Sequence, residues 1–325
     1  MLSTTAQPRP DLNMVVQGHA CNQSQFVLPR VLPIKDSLKK TGRYWKVKPG
    51  TQLRAPTTVR ASGTAYPRDT YDIESAEFAC VNKGLEGQVP VDQAAEFGDI
   101  LPLEQARAVQ KVNQILRREE VDAAATLFSR TTFPVAAASG HDATNEWDDH
   151  ANAVPVDDTL TAIAAIRGNI GDFSSMGLQV CALMNWRSAR HAKLCTQVRS
   201  GLGGVYTRPE FAAADIPNVL LAQALTVDEV IVADNRYQTA GTVASPTATN
   251  IWDDEFCLIF VRADPNAPEF MGLGVTFVWN EFGGEYEVST YDEPQTKSRI
   301  VQVDRSSVQT IVQSGAGYLI GNLKT

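Results

Sequence analysis

The chain contains no run of about 18 consecutive apolar residues, so no segment reads as a membrane-crossing helix. Its opening residues, MLSTTAQPRPDLN, carry no apolar signal core, and export by that route is not expected. Cysteine is scarce and scattered: Cys21, Cys80, Cys181, Cys195 and Cys257 form no C-x-x-C pair. An odd count at such spacing reads as reduced thiols in a cytosolic product, not as a disulfide framework or a zinc site. Nucleophile and nucleotide signatures are missing too, with no G-x-S-x-G, no Walker loop and no G-x-G-x-x-G. Gly201-Leu202-Gly203-Gly204 lacks the Lys and following Ser or Thr of a phosphate loop and reads as a turn that ends a helix. Cys181 and Cys195 have apolar neighbours and no partnered His, which marks core thiols over nucleophiles. No catalytic set emerges, and neither a cofactor nor a metal is expected.

What the chain does have is enough apolar material to fold and an uneven charge. Its 325 residues, 43% hydrophobic and 20% charged, suit a packed protein of two domains or one elaborate domain. Residues 1–70 hold eleven Lys or Arg against Asp11, Asp36 and Asp69, a net of +8, while the rest of the chain carries −16. A basic N-terminal fifth on an acidic body suggests an arm for nucleic acid or an arm that docks on acidic neighbours. The basic residues alternate with Pro and Gly and show no recognition-helix or Cys/His pattern, which disfavours specific nucleic-acid binding.

Residues 1–25 show little periodicity and are expected to be extended or disordered. The apolar stretch Phe26–Ile34 is broken by Pro29 and Pro33, which argues against a helix or a central strand. Residues 35–75 read as a long hairpin: Tyr44, Lys46 and Lys48 alternate with Trp45 and Val47, and Pro49-Gly50 signals a turn. This excursion has too few apolar residues for a core of its own and must lean on something else. The clearest helix lies at 102–128, where Leu103, Ala106, Val109, Val112, Ile115 and Leu116 recur at helical spacing without Gly or Pro. It reads as a beam packed on a sheet, with a coiled coil as the competing view. A second helix follows Pro155, with Leu160, Ile163 and Ile166 as its stripe and Gly168 as its end. A third is expected at 186–198 and a short one at 216–223. Strands are expected at 178–184, 227–233, 256–261, 274–279 and 286–291, with alternation resuming from Ile300 to Ile320. Interleaving this irregular points to the α+β class.

The one cluster with metal-ligand chemistry is His141, Glu146 and His150, with Asp142, Asp148 and Asp149 between them. Its spacing is not H-E-x-x-H, and an acidic turn is the simpler reading of it; a metal-dependent hydrolase is the remote alternative.

Several stretches then share one order and spacing. They are Glu146-Trp147-Asp148-Asp149 with Val156-Asp157-Asp158-Thr159, Pro217-Asn218 with Val219–Gln223, and Leu225 through Val232. Ile251-Trp252-Asp253-Asp254, Leu273 through Trp279 and Ala316 through Asn322 complete the set. Together they resemble the major capsid protein of tailed bacteriophages, the Hong Kong 97-type fold that encapsulin shells share. The resemblance implies an N-terminal arm (1–34), an extended loop overlapping a neighbouring subunit (35–75) and a peripheral domain part (76–154) with a spine helix at 102–128. It further implies the main part of the axial domain (155–240) and a return to peripheral and axial strands (241–325). The inter-subunit contacts of the ribbon would be Arg43, Trp45, Lys46, Lys48, Arg54, Arg60 and Arg68. The implied role is the head subunit of a phage or prophage, made in the bacterial cytoplasm and assembling with itself as hexamers and pentamers around double-stranded DNA. A separate scaffold protein, a portal and an optional decoration protein are the implied partners, with no membrane; an encapsulin-type shell is the alternative. The lysines of the loop, Lys39, Lys40, Lys46 and Lys48, match no Lys–Asn crosslinking pair.

Overall fold

The structure, a computed structural model, describes residues 5–21, 25–48, 55, 58–60, 62–63, 65–66, 68, 70, 72–97, 102–133, 142–170, 178–203, 216–241, 245–264, 272–280 and 284–324. The chain opens with β1 (Gln7–Pro8), α1 (Pro10–Cys21), the single turn α2 (Leu28–Val31) and β2 (Ile34–Ser37). The expectation of an extended or disordered 1–25 is therefore corrected at Pro10–Cys21, and that of a helix-free proline stretch after it at Leu28–Val31, while residues 1–4 and 22–24 lie outside the described residues. Pro10 and Pro29 lie in first helical turns, where an absent N–H costs no intrahelical bond. Next come β3 (Thr41–Val47), β4 (Ile73–Ala79), β5 (Val81–Pro90), α3 (Val91–Phe97) and the beam α4 (Leu103–Leu127).

After α4 come α5 (Pro155–Ile170), β6 (Val180–Asn185), α6 (Trp186–Leu194), α7 (Thr196–Leu202) and α8 (Asn218–Ala224). The expected 186–198 helix is split at Cys195, whose backbone is extended, and Gly203 ends α7 at φ 63°, a conformation glycine adopts freely. Gly168 does not end α5, which runs on to Ile170. The chain continues with β7 (Glu229–Ala233), β8 (Arg236–Gly241), β9 (Pro246–Asn250), β10 (Cys257–Val261), β11 (Gly274–Trp279), β12 (Glu287–Glu293), β13 (Ser298–Ile311) and β14 (Gly317–Ile320).

The first sheet runs β1-β12-β13-β11-β2, with β5 also paired to the long β13. β2 is a parallel partner of β11 at the sheet edge, the position a proline-flanked strand can take. Leu12 and Val16 of α1 and Ala108, Val112 and Ile115 of α4 are buried with Val288, Val301 and Val303 of this sheet. The second sheet runs β14-β10-β6-β7 and is covered on both faces, so its strands are continuous apolar runs. Ala182, Met184, Val230, Cys257, Ile259 and Val261 face the layer α5–α8. The alternate residues Cys181, Leu183, Ile231, Leu258 and Phe260 face Ala123, Ala124 and Leu127 of α4 and the arm residues Val27, Leu28 and Val31. At about 1.5 Å per residue, the 25 residues of α4 reach about 37 Å, so one half serves each sheet.

Candidate functional site

The strands β3 and β4 make the ribbon that the sequence led us to expect at 35–75, with its return strand extending to Ala79. Thr41 pairs with Ala79, Tyr44 with Ala76 and Trp45 with Ser75, so alternate residues fall on opposite faces. One face is anchored. The Phe78 ring stacks on Phe277 with centroids 4.1 Å apart, and Tyr44 packs against the same ring at 5.7 Å. Gly42 lets Phe78 cross the strand, since a Cβ there would meet the ring at 2.8 Å. The other face carries Arg43, Trp45, Ile73 and Glu77; Trp45 is 58% exposed and Ile73 51%. At the ribbon's foot, Lys35, Asp36, Ser37, Arg43, Tyr44, Trp45, Phe78 and Phe277 line an open cleft of about 320 Å³. Burial there lowers the Lys35 pKa.

Two of the basic ribbon residues are answered within the ribbon. Arg43 pairs with Glu77 at 2.8 Å and Lys46 with Glu74 at 3.2 Å, both across the ribbon itself. Lys48 and Arg68 are exposed, Arg60 lies over the Tyr66 ring at 4.0 Å, and Arg54 falls outside the described residues. Counted over the ribbon's observed extent, residues 41–79, six basic residues meet four acidic ones, for a net of +2. Arg9 likewise bonds Asp11 and Glu104, and Arg30 pairs with Glu229. Much of the +8 of residues 1–70 is thus answered within the chain, and the exposed aromatic and aliphatic groups are the more distinctive part of the surface.

Of the cluster with metal-ligand chemistry, His141 lies outside the described residues. Glu146 accepts from Asn322 at 3.5 Å, while the His150 Nε2 bonds the His191 Nδ1 at 3.0 Å. Among the described residues no three His, Cys, Asp or Glu side chains form a group that could hold a metal ion. Cys181 and Cys195 are buried, and burial pushes their thiols up to about 11 and about 12.

The residues that hold the ribbon's support together were missed in the sequence. Glu119 and Glu120 of α4 are both fully buried. Glu119 accepts from Arg305 at 2.5 Å, from Lys83 at 3.1 Å and from the Ser307 hydroxyl, fixing α4 to β13 and β5. Glu120 turns to the other side and accepts from the Val27 N–H at 3.0 Å, Trp252 Nε1 at 3.1 Å and Asn235 Nδ2 at 2.5 Å. Burial raises its pKa, and those hydrogen bonds offset part of the shift. A signal was available: Glu119 continues the Val112–Ile115 stripe at helical spacing, where an apolar residue is the usual occupant.

No protein-family profile matches this chain, and no curated protein is similar to it in sequence. Solved structures are similar over its whole length. A phage-related protein from Bordetella bronchiseptica RB50 is 16% identical, with a TM-score of 0.66 over 98% of each chain. A virus-like particle from Pyrococcus furiosus is 11% identical, with a TM-score of 0.53 over 96% of this chain and 98% of that one. The capsid of the cyanophage P-SCSP1u is 12% identical, with a TM-score of 0.53 over 89% of this chain and 85% of that one. With an anchored ribbon, a spine helix shared by two sheets and this full-length likeness, the chain has the Hong Kong 97-type fold of tailed-phage capsid proteins.

Proposed function

We propose that this chain is the major head subunit of a tailed bacteriophage or prophage, a non-enzymatic protein that assembles with copies of itself into an icosahedral shell around double-stranded DNA. The full-length likeness to a phage capsid and to a virus-like particle carries the reading. The ribbon supports it: its inner face is glued to Phe277, and its outer face offers Trp45 and Ile73 to a neighbour. Residues 1–34 would be the arm, 35–75 the extended loop, 76–154 and part of 241–325 the peripheral domain, and 155–240 most of the axial domain. Arg43, Trp45, Lys46, Lys48, Arg54, Arg60 and Arg68 would lie at or near the inter-subunit contact. A separate scaffold protein, a portal and an optional decoration protein would complete the head, with synthesis in the host cytoplasm.

Negative-stain electron microscopy of the purified chain, with and without its scaffold partner, tests the reading. Closed shells, or rings of five and six, are expected. Uniform small particles under every condition would overturn it.

A further inference from the structure

The two faces of the first sheet carry opposite charge. Along β13, Val301, Val303, Arg305 and Ser307 face α4, so Ile300, Gln302, Asp304, Ser306 and Val308 face the other way. Val308 lies opposite Phe277 in the register, which puts the ribbon's anchor on the face away from α4. The rest of that face is open sheet. Strand pairing places Glu86 of β5 and Glu287 and Glu293 of β12 on it beside Asp304, and these three strands turn no Lys or Arg that way. Glu86 and Asp304 are exposed, and burial, then Glu86, raises the Asp304 pKa.

The surface of α4 is the reverse. Arg107, Lys111 and Arg118 follow one another at helical spacing along the flank above β5, where Arg107 and Lys111 lay their stems over Gly87 and stay partly exposed. At about 100° per residue, Arg117 falls opposite the buried Ala108 and so also outward. Among the described residues Arg107 and Lys111 bond amide oxygens, of Gln110 at 3.0 Å and Gln114 at 3.2 Å, and no carboxylate. Glu119 and Glu120 are buried, which leaves Asp122, paired with Arg118 at 2.8 Å, as the one acid that residues 105–122 offer to solvent against these four bases. Asp92 and Glu96 of α3 come at the start of α4, where Ala94 shares a cleft with Leu103 and Gln105.

We infer that this flank of α4, through Arg107, Lys111 and Arg117, is where each subunit meets the phosphate backbone of the enclosed duplex DNA. Cations held by neutral amides keep their charge uncompensated, and a polyanion that meets them gains by releasing its own counterions. Arg107 to Arg118 spans about 16 Å along the helix, while duplex DNA presents a charge about every 1.7 Å of its axis, so the stripe can engage several phosphates. Phosphate contacts carry no sequence information, which suits a shell that must accept a whole genome. The carboxylates of the opposite face repel the same polyanion, so the slab has one side for DNA. The inference rests on the shell reading, which supplies the DNA, and adds to it the contacting residues. One subunit contributes little, but the contact repeats over every copy that lines the shell.

The test is binding of a fluorescent DNA duplex to the full chain, followed by anisotropy across a salt series. The log of the parent's affinity is expected to fall with log salt at a slope of about −3, near 0.9 per phosphate engaged. The triple variant Arg107→Gln, Lys111→Gln, Arg117→Gln should keep native circular dichroism and shell formation, bind about tenfold or more weakly at low salt, and flatten the slope by about two or more. Glu86→Gln with Asp304→Asn, on the opposite face, should alter neither affinity nor slope. A triple variant that matches the parent would overturn the inference, as would poly-glutamate competing as well as DNA, which would point to an acidic protein at this flank. Shells in the microscope with no DNA binding by the parent would overturn it too and leave the shell reading standing. A parent that forms neither rings nor shells would remove both.

Discussion

Adjacent carboxylates on one helix do two different jobs, and the donors around each set the consequence of changing it. Glu119 meets Arg305 and Lys83, so its charge is compensated; Glu120 receives only neutral donors, so its charge is held by hydrogen bonds alone. Glu120→Gln keeps the shape but turns an amide N–H₂ toward donors. It is expected to cost about 1–3 kcal/mol in denaturant unfolding. Arg305→Met removes one of two cations but leaves Glu119 with Lys83 and Ser307, and should cost about 1–3 kcal/mol, less than stranding the charge altogether. The thiols offer a plainer check. Cys80, Cys181, Cys195 and Cys257 are buried, and burial raises the pKa of each. Alkylation of these four at pH 8 should be slow in the native chain and complete once it is unfolded, as peptide mass mapping would record.

At the scale of elements, the ribbon and the histidine pair each join parts that local sequence does not. Tyr44 and Phe78 belong to the core beneath the ribbon, so the segment dispensable for folding begins after Val47. Replacing residues 49–71 with a short Gly-Ser turn should leave the melting temperature nearly unchanged and abolish shells in the microscope. The His150–His191 bond ties the acidic loop to α6, with Asp148, Arg190 and Asp254 also acting on His191. Burial, then His150, depresses the His191 pKa. The unfolded chain then takes up its proton first as pH falls below about 6.5, so stability from this pair is full at neutral pH and declines below that value. A His191→Gln variant should show a flatter melting profile than the parent between pH 7 and 5.

Which elements were legible follows from the same packing. The beam and the strands at 274–279 and 257–261 bury one face or both, so their periodicity is plain. β5 was not seen because its glycines resemble turn punctuation. Gly84 makes room for the Asp304 carboxylate, which a Cβ would meet at 2.0 Å, and Gly87 lies under Lys111 and Arg107 of α4. The hairpin β8–β9 was missed because threonine and other polar residues dominate it and almost all of it is exposed, leaving no apolar alternation to read. α1 was hidden because its deep anchors among the described residues are Leu12 and Val16, both supplied with a surface by residues about a hundred or more positions away. The support of the ribbon was half legible: an acid at 119 within an apolar stripe was there to be read, but the groups that answer Glu119 and Glu120, namely Arg305, Ser307, Trp252 and Asn235, are all distant in sequence.

For the whole molecule, part of the basic charge of residues 1–70 is spent on ties within the chain, through Arg9, Arg30, Arg43 and Lys46. If the ribbon's basic residues steered assembly, adding salt would slow shell formation through them. With Arg43 and Lys46 answered by Glu77 and Glu74, reversing the exposed Arg60 to Glu should change the assembly rate only a few-fold, whereas Trp45→Ala should reduce shell yield severely. Light scattering during assembly separates the two. The beam α4 has a different consequence. Its first half completes the core of one sheet and its second half the core of the other, so neither lobe owns a full set of core residues. The two should melt as one calorimetric transition, and a fragment carrying either sheet without α4 should stay unfolded. Under the proposed role, only a fully folded copy would then be available to join a shell.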